Sequence, residues 1–386
     1  MTLSRMLLAS AAVLTLAACS QSPTSGGAGK TASTNTTDDA STKAAASGPS
    51  GLSLQAINGA QFTAPAGAAA ASGNETGGDN EINGYDNVAG NATGSADPDT
   101  KSPSPTLVRA EVLLDRAAFS PGVIDGRMGE NVKHAIMAYD QAHGLQPSDE
   151  LDEATWKSLT SADNAPVLKT YTITQQDAAG PFAPNVGEDF VKMSKVQSLG
   201  YTSPLQMLSQ RFHMDEQFLQ ALNPGADLSK AGTPIVVVDP GQGALPEVKT
   251  LDVNKKMAQV IAYDDSHKVV AVFPATVGST TRPSPKGTWK VTGVSQNPDY
   301  MYDPSKLTWG PKHAGKLHIP PGPNNPVGVV WIALSAPDYG IHGSPDPHVI
   351  GKTASHGCVR LTNWDAEELS KAVKPGVKVT FVSERG

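Results

Sequence analysis

One segment near the C-terminus combines a thiol, imidazole and glycine, the residue types that nucleophilic catalysis uses. It reads Ser355-His356-Gly357-Cys358-Val359-Arg360-Leu361, and a further histidine lies upstream in Tyr339-Gly340-Ile341-His342-Gly343. A thiol becomes a good nucleophile when a nearby base or positive charge favours the thiolate. A glycine beside it lets backbone N–H groups approach the negative oxygen that forms during acyl transfer. The two segments therefore indicate a cysteine nucleophile with a histidine base.

Two other interpretations use some of the same residues. Cys358, His356 and His342 could bind zinc, but structural zinc sites usually have four ligands, and this sequence has no Cys-x-x-Cys pair. A lone cysteine is also commonly buried and inert, which would leave the flanking glycine and histidines unexplained. Nucleophilic catalysis accounts for all of them.

The arrangement resembles the signature of the L,D-transpeptidase (YkuD-like) catalytic domain family. Supporting segments occur in the same order, at Gly278, at Arg282-Pro283-Ser284-Pro285-Lys286-Gly287-Thr288-Trp289 and at Asn325-Pro326-Val327. The second of these resembles the family's Thr-Pro-Thr-Pro-x-Gly-x-Phe segment but departs from it at Arg282, Ser284 and Trp289. The resemblance covers residues 247–383 and implies a mostly β (α+β) catalytic domain.

The resemblance also implies a role for each matching residue. Cys358 would be the nucleophile and His342 the base, and the Gly343 carbonyl would orient the second imidazole nitrogen. The N–H groups of Gly357 and Cys358 would form the oxyanion hole. Substrate-binding positions would be Ser355 and His356, which shape the loop, and Arg360, for which an ion pair within the fold is an equally good explanation. No step requires a metal or a cofactor.

Strands and a helix must position these residues. Hairpin strands are predicted at 257–263 and 268–277, further strands at 288–294, 327–334 and 377–382, and a helix at 364–373. Residues 296–326 are rich in Pro, Gly and Asn without periodicity, and a loop of that length usually covers a binding site.

Two small modules are predicted to precede the catalytic domain in a multidomain chain. Residues 106–162 show helical spacing for a three-helix bundle that resembles a peptidoglycan-binding domain. Residues 169–240 resemble a small α/β LysM glycan-binding module that carries an insertion. Its Ser203-Pro204-Leu205-Gln206 segment predicts a helix start. A spacer or docking role is the alternative for each module.

The N-terminus predicts export and anchoring. Residues 1–18 have a basic residue and a short apolar run, and Leu16-Ala17-Ala18-Cys19 resembles a bacterial lipobox. Cys19 would then be lipidated, at a membrane facing the periplasm, with the outer membrane weakly favoured. Residues 19–105 have few large apolar residues and are predicted to be a disordered tether.

These features predict an enzyme of cell-wall biogenesis that acts on peptidoglycan stem peptides and glycan. It would form a Cys358 thioester with a stem tetrapeptide, release D-alanine and transfer the acyl group to an amine, giving 3→3 cross-links. The alternatives are an L,D-carboxypeptidase, an enzyme that attaches a lipoprotein to the wall, and a non-catalytic wall-binding lipoprotein. A net charge of −7 and a pI near 5.7 provide no basic surface for nucleic acid.

Overall fold

A computed structural model describes residues 51–63, 102–241, 243–306, 310–311 and 315–382. The predicted signal peptide, the lipidation site Cys19 and most of the predicted tether lie outside these residues. Within the described ranges, no helix is both long and apolar enough to cross a membrane.

The first module is helical, as its sequence periodicity predicts. Its helices are α1 Leu54–Asn58, α2 Pro105–Arg116, α3 Glu130–Ala142 and α4 Glu153–Ala162. Proline at the first position of α2 starts that helix without losing a hydrogen bond, and the Asp152 side chain caps α4 by accepting from the Thr155 N–H. Tyr139 and Leu159 are buried in the core that the helices share.

Helix α1 corrects the prediction of a disordered tether over residues 19–105, which is wrong for residues 51–63. Ile57 of α1 is fully buried in the shared core. The Asn58 side-chain oxygen accepts hydrogen bonds from the N–H groups of Val167 and Leu168 at 2.9 and 2.8 Å. A few apolar residues are enough to order this segment because they pack into a core that is formed mainly by other segments. The local composition of residues 51–63 does not reveal that core.

The second module pairs two strands around a set of short helices. In chain order its elements are β1 Leu168–Thr172, α5 Gln175–Ala179, α6 Phe190–Met193, α7 Pro204–Arg211, α8 Glu216–Leu222 and β2 Pro234–Val238. The strands are antiparallel, with Leu168 opposite Val238. Helix α7 begins where the sequence predicts, and Ser203 caps it by accepting from the Gln206 N–H at 3.1 Å. We call residues 180–200 the module insertion.

The C-terminal part of the chain is built on an eight-stranded mixed sheet. Its strands are β3 Thr250–Asn254, β4 Gln259–Tyr263, β5 Val269–Pro274, β6 Gly287–Gln296, β9 Val330–Leu334, β10 Gly340–His342, β11 Val359–Arg360 and β12 Lys378–Val382. They lie in the order β11-β10-β9-β6-β12-β3-β4-β5, parallel at the β11–β10 and β12–β3 pairs and antiparallel elsewhere. The predicted hairpin of β4 and β5 is confirmed, as is the mostly β fold class.

One helix covers the part of the sheet that carries the predicted nucleophile. Helix α9, Asn363–Ala372, contacts β9 and β10 and buries Ala366 and Leu369. It starts at the expected cap, where Thr362 Oγ1 accepts from the Asp365 N–H at 3.1 Å.

The long segment predicted as a loop contains a short hairpin. Strands β7 Tyr300–Tyr302 and β8 Leu317–Ile319 pair antiparallel. They pack against the module insertion through a small separate core of Met193, Leu199, Tyr302 and Ile319. Sequence periodicity missed both strands because three residues are too few to show a pattern and because their packing partner lies about 100 residues away.

Candidate functional site

The predicted nucleophile and base are brought together by the parallel pair β10 and β11. The register places Ile341 opposite Val359 and His342 opposite Arg360. Cys358 directly precedes β11, and alternate residues of a strand share one face. His342, Arg360 and Cys358 therefore lie on the same face of the sheet. Cys358 is two residues before Arg360, the residue opposite His342, so it lies diagonally across from His342 on the neighbouring strand.

His342 is held as a neutral imidazole. Its side chain is 3% exposed and stacks on Trp331, with ring centroids 5.4 Å apart. Nδ1 lies 2.7 Å from the Gly343 carbonyl oxygen, and because a carbonyl only accepts, Nδ1 carries the proton and Nε2 keeps its lone pair. Burial and then the Arg360 charge lower the pKa of His342 to about 3, although the Gly343 hydrogen bond partly opposes them.

The geometry of Gly343 agrees with the predicted orienting contact. A Cβ at this position would lie 2.4 Å from Oδ1 of Asn363 in α9. Glycine thus lets the chain pass close to α9 while its carbonyl faces the imidazole.

Cys358 is a half-buried neutral thiol rather than a preformed thiolate. Burial raises its pKa and the Asp338 carboxylate adds to this rise, whereas a hydrogen bond from the Gly340 backbone and the Arg360 charge oppose it. The thiol donates to the Asp338 carbonyl, with an Sγ–O distance of 3.8 Å. A thiol that reacts from this neutral state needs a base to take its proton, and a neutral imidazole such as His342 can accept one.

The loop before Cys358 is closed by serine hydroxyls. Ser355 Oγ donates to the Cys358 carbonyl at 2.5 Å and accepts from the Gly357 N–H at 3.0 Å. Ser284 Oγ donates to the Gly357 carbonyl and accepts from the Gly278 N–H, both at 2.8 Å. The segment around Ser284 that resembles the family pattern thus supports the nucleophile loop.

Two predicted roles in this loop disagree with the structure. Ser355 is 3% exposed and its hydroxyl is used inside the loop, so it positions Cys358 and is not placed to bind substrate. The Gly357 N–H is engaged by the same hydroxyl, which leaves the Cys358 N–H as the remaining predicted oxyanion donor. Gly357 itself has φ +122°, and a Cβ there would lie 2.9 Å from the Tyr339 ring, so only glycine fits.

Arg360 carries a positive charge at the site and lies next to His356. Arg360 Nη2 lies 3.4 Å from His356 Nδ1. Burial, Arg360 and Arg282 together lower the pKa of His356 to about 4, so His356 is neutral at pH 7. No carboxylate of the described residues lies within 4.0 Å of the Arg360 guanidinium, although the more distant Glu188 carboxylate favours its charged form.

The hairpin of β7 and β8 forms one wall of the site. Tyr300 is half-buried, and its pKa is raised to about 12 by burial and then by the nearby Cys358 and Tyr302. Tyr300, Asp338 and Trp331 were not identified from the sequence, because only the tertiary structure brings their segments to Cys358 or His342. Over the described residues, no group of three His, Cys, Asp or Glu residues could hold a metal ion.

Comparison with known families agrees with this site. Residues 248–381 match the family model of the L,D-transpeptidase catalytic domain, YkuD, and residues 104–159 match that of the "Putative peptidoglycan binding domain". The chain therefore carries a catalytic domain of the L,D-transpeptidase family preceded by a domain of a peptidoglycan-binding family. This confirms the two resemblances, whereas the LysM-like module stays a prediction.

Individual relatives carry the same name. The chain is 29% identical over 221 residues to the probable L,D-transpeptidase YbiS of Escherichia coli K12, covering 52% of this chain and 68% of that protein. It is 30% identical over 192 residues to the probable L,D-transpeptidase ErfK/SrfK of the same strain, covering 47% and 60%. A crystal structure of L,D-transpeptidase 3 from Mycobacterium tuberculosis with a faropenem-derived adduct is 16% identical over 40% of this chain and 75% of that chain, with a TM-score of 0.30. A TM-score this low supports no conclusion.

Proposed function

We propose that this protein is a peptidoglycan L,D-transpeptidase that uses Cys358 as its nucleophile. The observation that carries the proposal is the pairing of β10 with β11. It places His342, with Nδ1 held by the Gly343 carbonyl, on the same face as Cys358. A base with a fixed tautomer beside a thiol is the arrangement that acyl transfer needs.

The first half-reaction cleaves an amide of a stem tetrapeptide. The Cys358 sulfur attacks the carbonyl carbon after the third residue while its proton passes to His342 Nε2. The Cys358 N–H donates to the oxygen that becomes negative. The tetrahedral intermediate then expels D-alanine, whose amine takes the proton from His342, and a thioester remains on Cys358.

The second half-reaction transfers the acyl group to an amine. The acceptor nitrogen attacks the thioester carbon, the carbon–sulfur bond breaks, and a proton moves through His342 to the sulfur. An amine of another stem peptide gives a 3→3 cross-link, which we favour. A protein lysine would give wall attachment of a lipoprotein, and water would give carboxypeptidase activity.

The other segments would place this reaction at the cell wall. In this proposal the helical module and the LysM-like module bind peptidoglycan glycan, and a lipid on Cys19 holds the protein at a membrane in the periplasm, preferably the outer membrane. The antiparallel pair β1 and β2, with α7 and α8 between them in sequence, supports the LysM-like interpretation.

The test uses purified disaccharide-tetrapeptide as donor and acceptor, with products followed by mass spectrometry. The full chain carries Cys19→Ser, which leaves Cys358 as its sole cysteine, and Cys358→Ala is run beside it. Released D-alanine and a cross-linked dimer, both absent with Cys358→Ala, are expected. A chain that binds peptidoglycan without forming a thioester or releasing D-alanine would instead be a wall-binding adaptor.

A further inference from the structure

The module insertion carries apolar side chains that its own module does not use. Among the described residues, the core that the first two modules share contains Leu208 and Phe218 of the second module but no residue of the insertion. The insertion instead contributes Met193 and Leu199 to the separate core under the β7–β8 hairpin. Every described member of that separate core lies in the insertion or in the hairpin. The apolar side chains of the insertion therefore serve the catalytic domain.

The β7–β8 hairpin depends on this packing for its position. Its two strands have three residues each and form a two-stranded sheet of their own, apart from the eight-stranded sheet. Such a hairpin is marginally stable by itself in water. Hydrogen bonds also tie the segment after β8 to the insertion, since the Leu199 N–H donates to the Pro321 carbonyl and the Asn324 N–H donates to the Leu199 carbonyl, both at 2.9 Å. The insertion thus sets where the hairpin lies.

Phe190 of the insertion contacts both tyrosines of β7. Its ring stands nearly perpendicular to the rings of Tyr302 and Tyr300, with centroids 5.1 and 6.0 Å away and interplanar angles of 75° and 77°. Aromatic pairs favour this edge-to-face arrangement. Tyr302 is 1% exposed and anchors the strand in the separate core. Tyr300 is two residues away and therefore lies on the same face of the strand, where the Phe190 ring limits the positions that it can take.

Tyr300 and the insertion both reach the reacting groups. Burial raises the pKa of Tyr300, Cys358 raises it further and Arg360 opposes this, so the phenol lies within electrostatic range of both groups. Burial lowers the pKa of Arg360, whereas Cys358 and then Glu188 of the insertion favour its charged form. The wall of the site that carries Tyr300 is therefore continuous with the second module.

We propose that Phe190 of the second module is a positioning residue of the active site, which holds Tyr300 where it contacts the acyl donor beside Cys358. This inference rests on the proposed function. The substrate cleft is then built by two modules: the catalytic domain supplies the nucleophile loop, and the second module supports the hairpin. The second module thereby sets the affinity for the donor, in addition to any role in binding the cell wall.

The test measures D-alanine release against the concentration of disaccharide-tetrapeptide in the Cys19→Ser chain, which gives KM and kcat separately. Phe190→Ala removes the ring that supports Tyr300. Phe62→Ala is the matched control, because Phe62 is also half-buried and packs against one aromatic ring, that of Trp156, at 6.5 Å. Melting temperatures show which chains are folded. Phe190→Leu keeps most of the apolar volume and takes the place of Phe190→Ala if the alanine variant does not fold.

Phe190→Ala should raise KM about two- to tenfold, the factor that corresponds to losing one aromatic contact. It should change kcat by less than about twofold, because the hairpin binds substrate and moves no proton. Tyr300→Ala should raise KM at least as much, and adding Phe190→Ala to it should raise KM no further, since Phe190 acts through Tyr300. Phe62→Ala should leave both constants unchanged. A merely structural role of Phe190 would lower the melting temperature and leave the KM of the folded chain unchanged.

An unchanged KM in Phe190→Ala, with an active parent chain, would overturn this inference alone. A further rise of KM in the double variant would also overturn it, because Phe190 would then act without Tyr300. An equal rise in Phe62→Ala would do the same, since a general loss of packing would be the cause. A parent chain that releases no D-alanine would refute the proposed function, and this inference with it.

Discussion

Two histidines of this chain each pack against a tryptophan, yet their surroundings favour opposite charge states. His342 stacks on Trp331 at 5.4 Å, and its Nδ1 meets a backbone carbonyl. His213 stacks on Trp364 at 5.0 Å, and its Nδ1 meets the Asp115 carboxylate at 2.9 Å. Burial alone lowers the pKa of a histidine, so the difference comes from the charged neighbours.

The charged neighbours of each histidine set the direction in which its pKa is shifted. Arg360 acts with burial to hold the pKa of His342 at about 3, so the imidazole stays neutral and can accept a proton. Burial also opposes the charge of His213, but Asp115, Asp365 and Glu368 together raise its pKa. His213 joins α2 of the first module to α9 of the catalytic domain through its contacts with Asp115 and Trp364. One histidine therefore suits chemistry and the other suits assembly.

The largest effect is expected from His342→Gln, which removes the proposed base. Loss of general base catalysis should lower the cross-linking rate by about 10²- to 10⁴-fold, while the melting temperature shows whether the fold is kept. His213→Gln is the comparison: it should lower the melting temperature because it breaks the contact with Asp115, but the folded protein should keep its rate, since His213 lies outside the site. A His342→Gln chain that keeps more than a tenth of the rate would contradict the assigned role.

We call the contact of Asp115 in α2 with His213, which stacks on Trp364 of α9, the junction. Asp115→Ala should cause the largest loss of stability there. It removes the partner of His213, and the Asp115 side chain is only 7% exposed. Breaking a buried ion pair at one partner typically costs about 3–5 kcal/mol, to be measured by urea denaturation. Asp163→Asn is the matched control, because Asp163 pairs with Arg116 but is 36% exposed, and it should cost under about 1 kcal/mol. Equal losses would show that the junction pair contributes no more than a surface pair.

Ser284→Ala tests whether the loop before Cys358 depends on hydroxyl hydrogen bonds, in the way that the junction is expected to depend on charged groups. Ser284 is 2% exposed and bonds to both Gly278 and Gly357. Leaving these two backbone groups unpaired should cost about 1–3 kcal/mol in unfolding free energy and should slow cross-linking, because the nucleophile loop loses its support. Ser266→Ala, at an exposed turn, should affect neither, and a Ser284→Ala chain with the parent's rate would argue against a supporting role.

The smallest effect concerns Asp365, a buried carboxyl group at the junction. Burial, with Asp115 and Glu368 nearby, raises the pKa of Asp365 to about 8, and its Oδ2 has no hydrogen-bond partner among the described residues. The folded value exceeds the unfolded value of about 3.9. The stability that Asp365 contributes is therefore complete below the unfolded value and is lost as the pH rises toward 8.

Asp365→Asn removes this titration. At pH 8 the variant should be more stable than the parent and should melt at a higher temperature, and at pH 4 the two should melt alike. Melting curves at both pH values check this. A variant that is less stable at pH 8 would show that the ionised carboxylate stabilises the junction.

Much of the catalytic domain could be predicted from local pattern. The strands of the β4–β5 hairpin and helix α9 follow from alternation, turn residues and a threonine cap. Helix α1 and the β7–β8 hairpin could not be predicted in this way, because each is stabilised by contacts with segments about 100 residues distant. Short elements carry too little local information to reveal such partners.

The amino-acid sequence by itself identified Cys358, His342 and the glycines Gly343 and Gly357 as candidate site residues, because residue type and spacing were enough to indicate them. Only the tertiary structure decided what surrounds them. It made His342 and Cys358 a neutral pair, turned the Ser355 hydroxyl into the loop, and brought Asp338 and Tyr300 to the thiol. Burial, hydrogen bonding and charge proximity depend on distances in space, and these are settled when the strands pair and the modules pack.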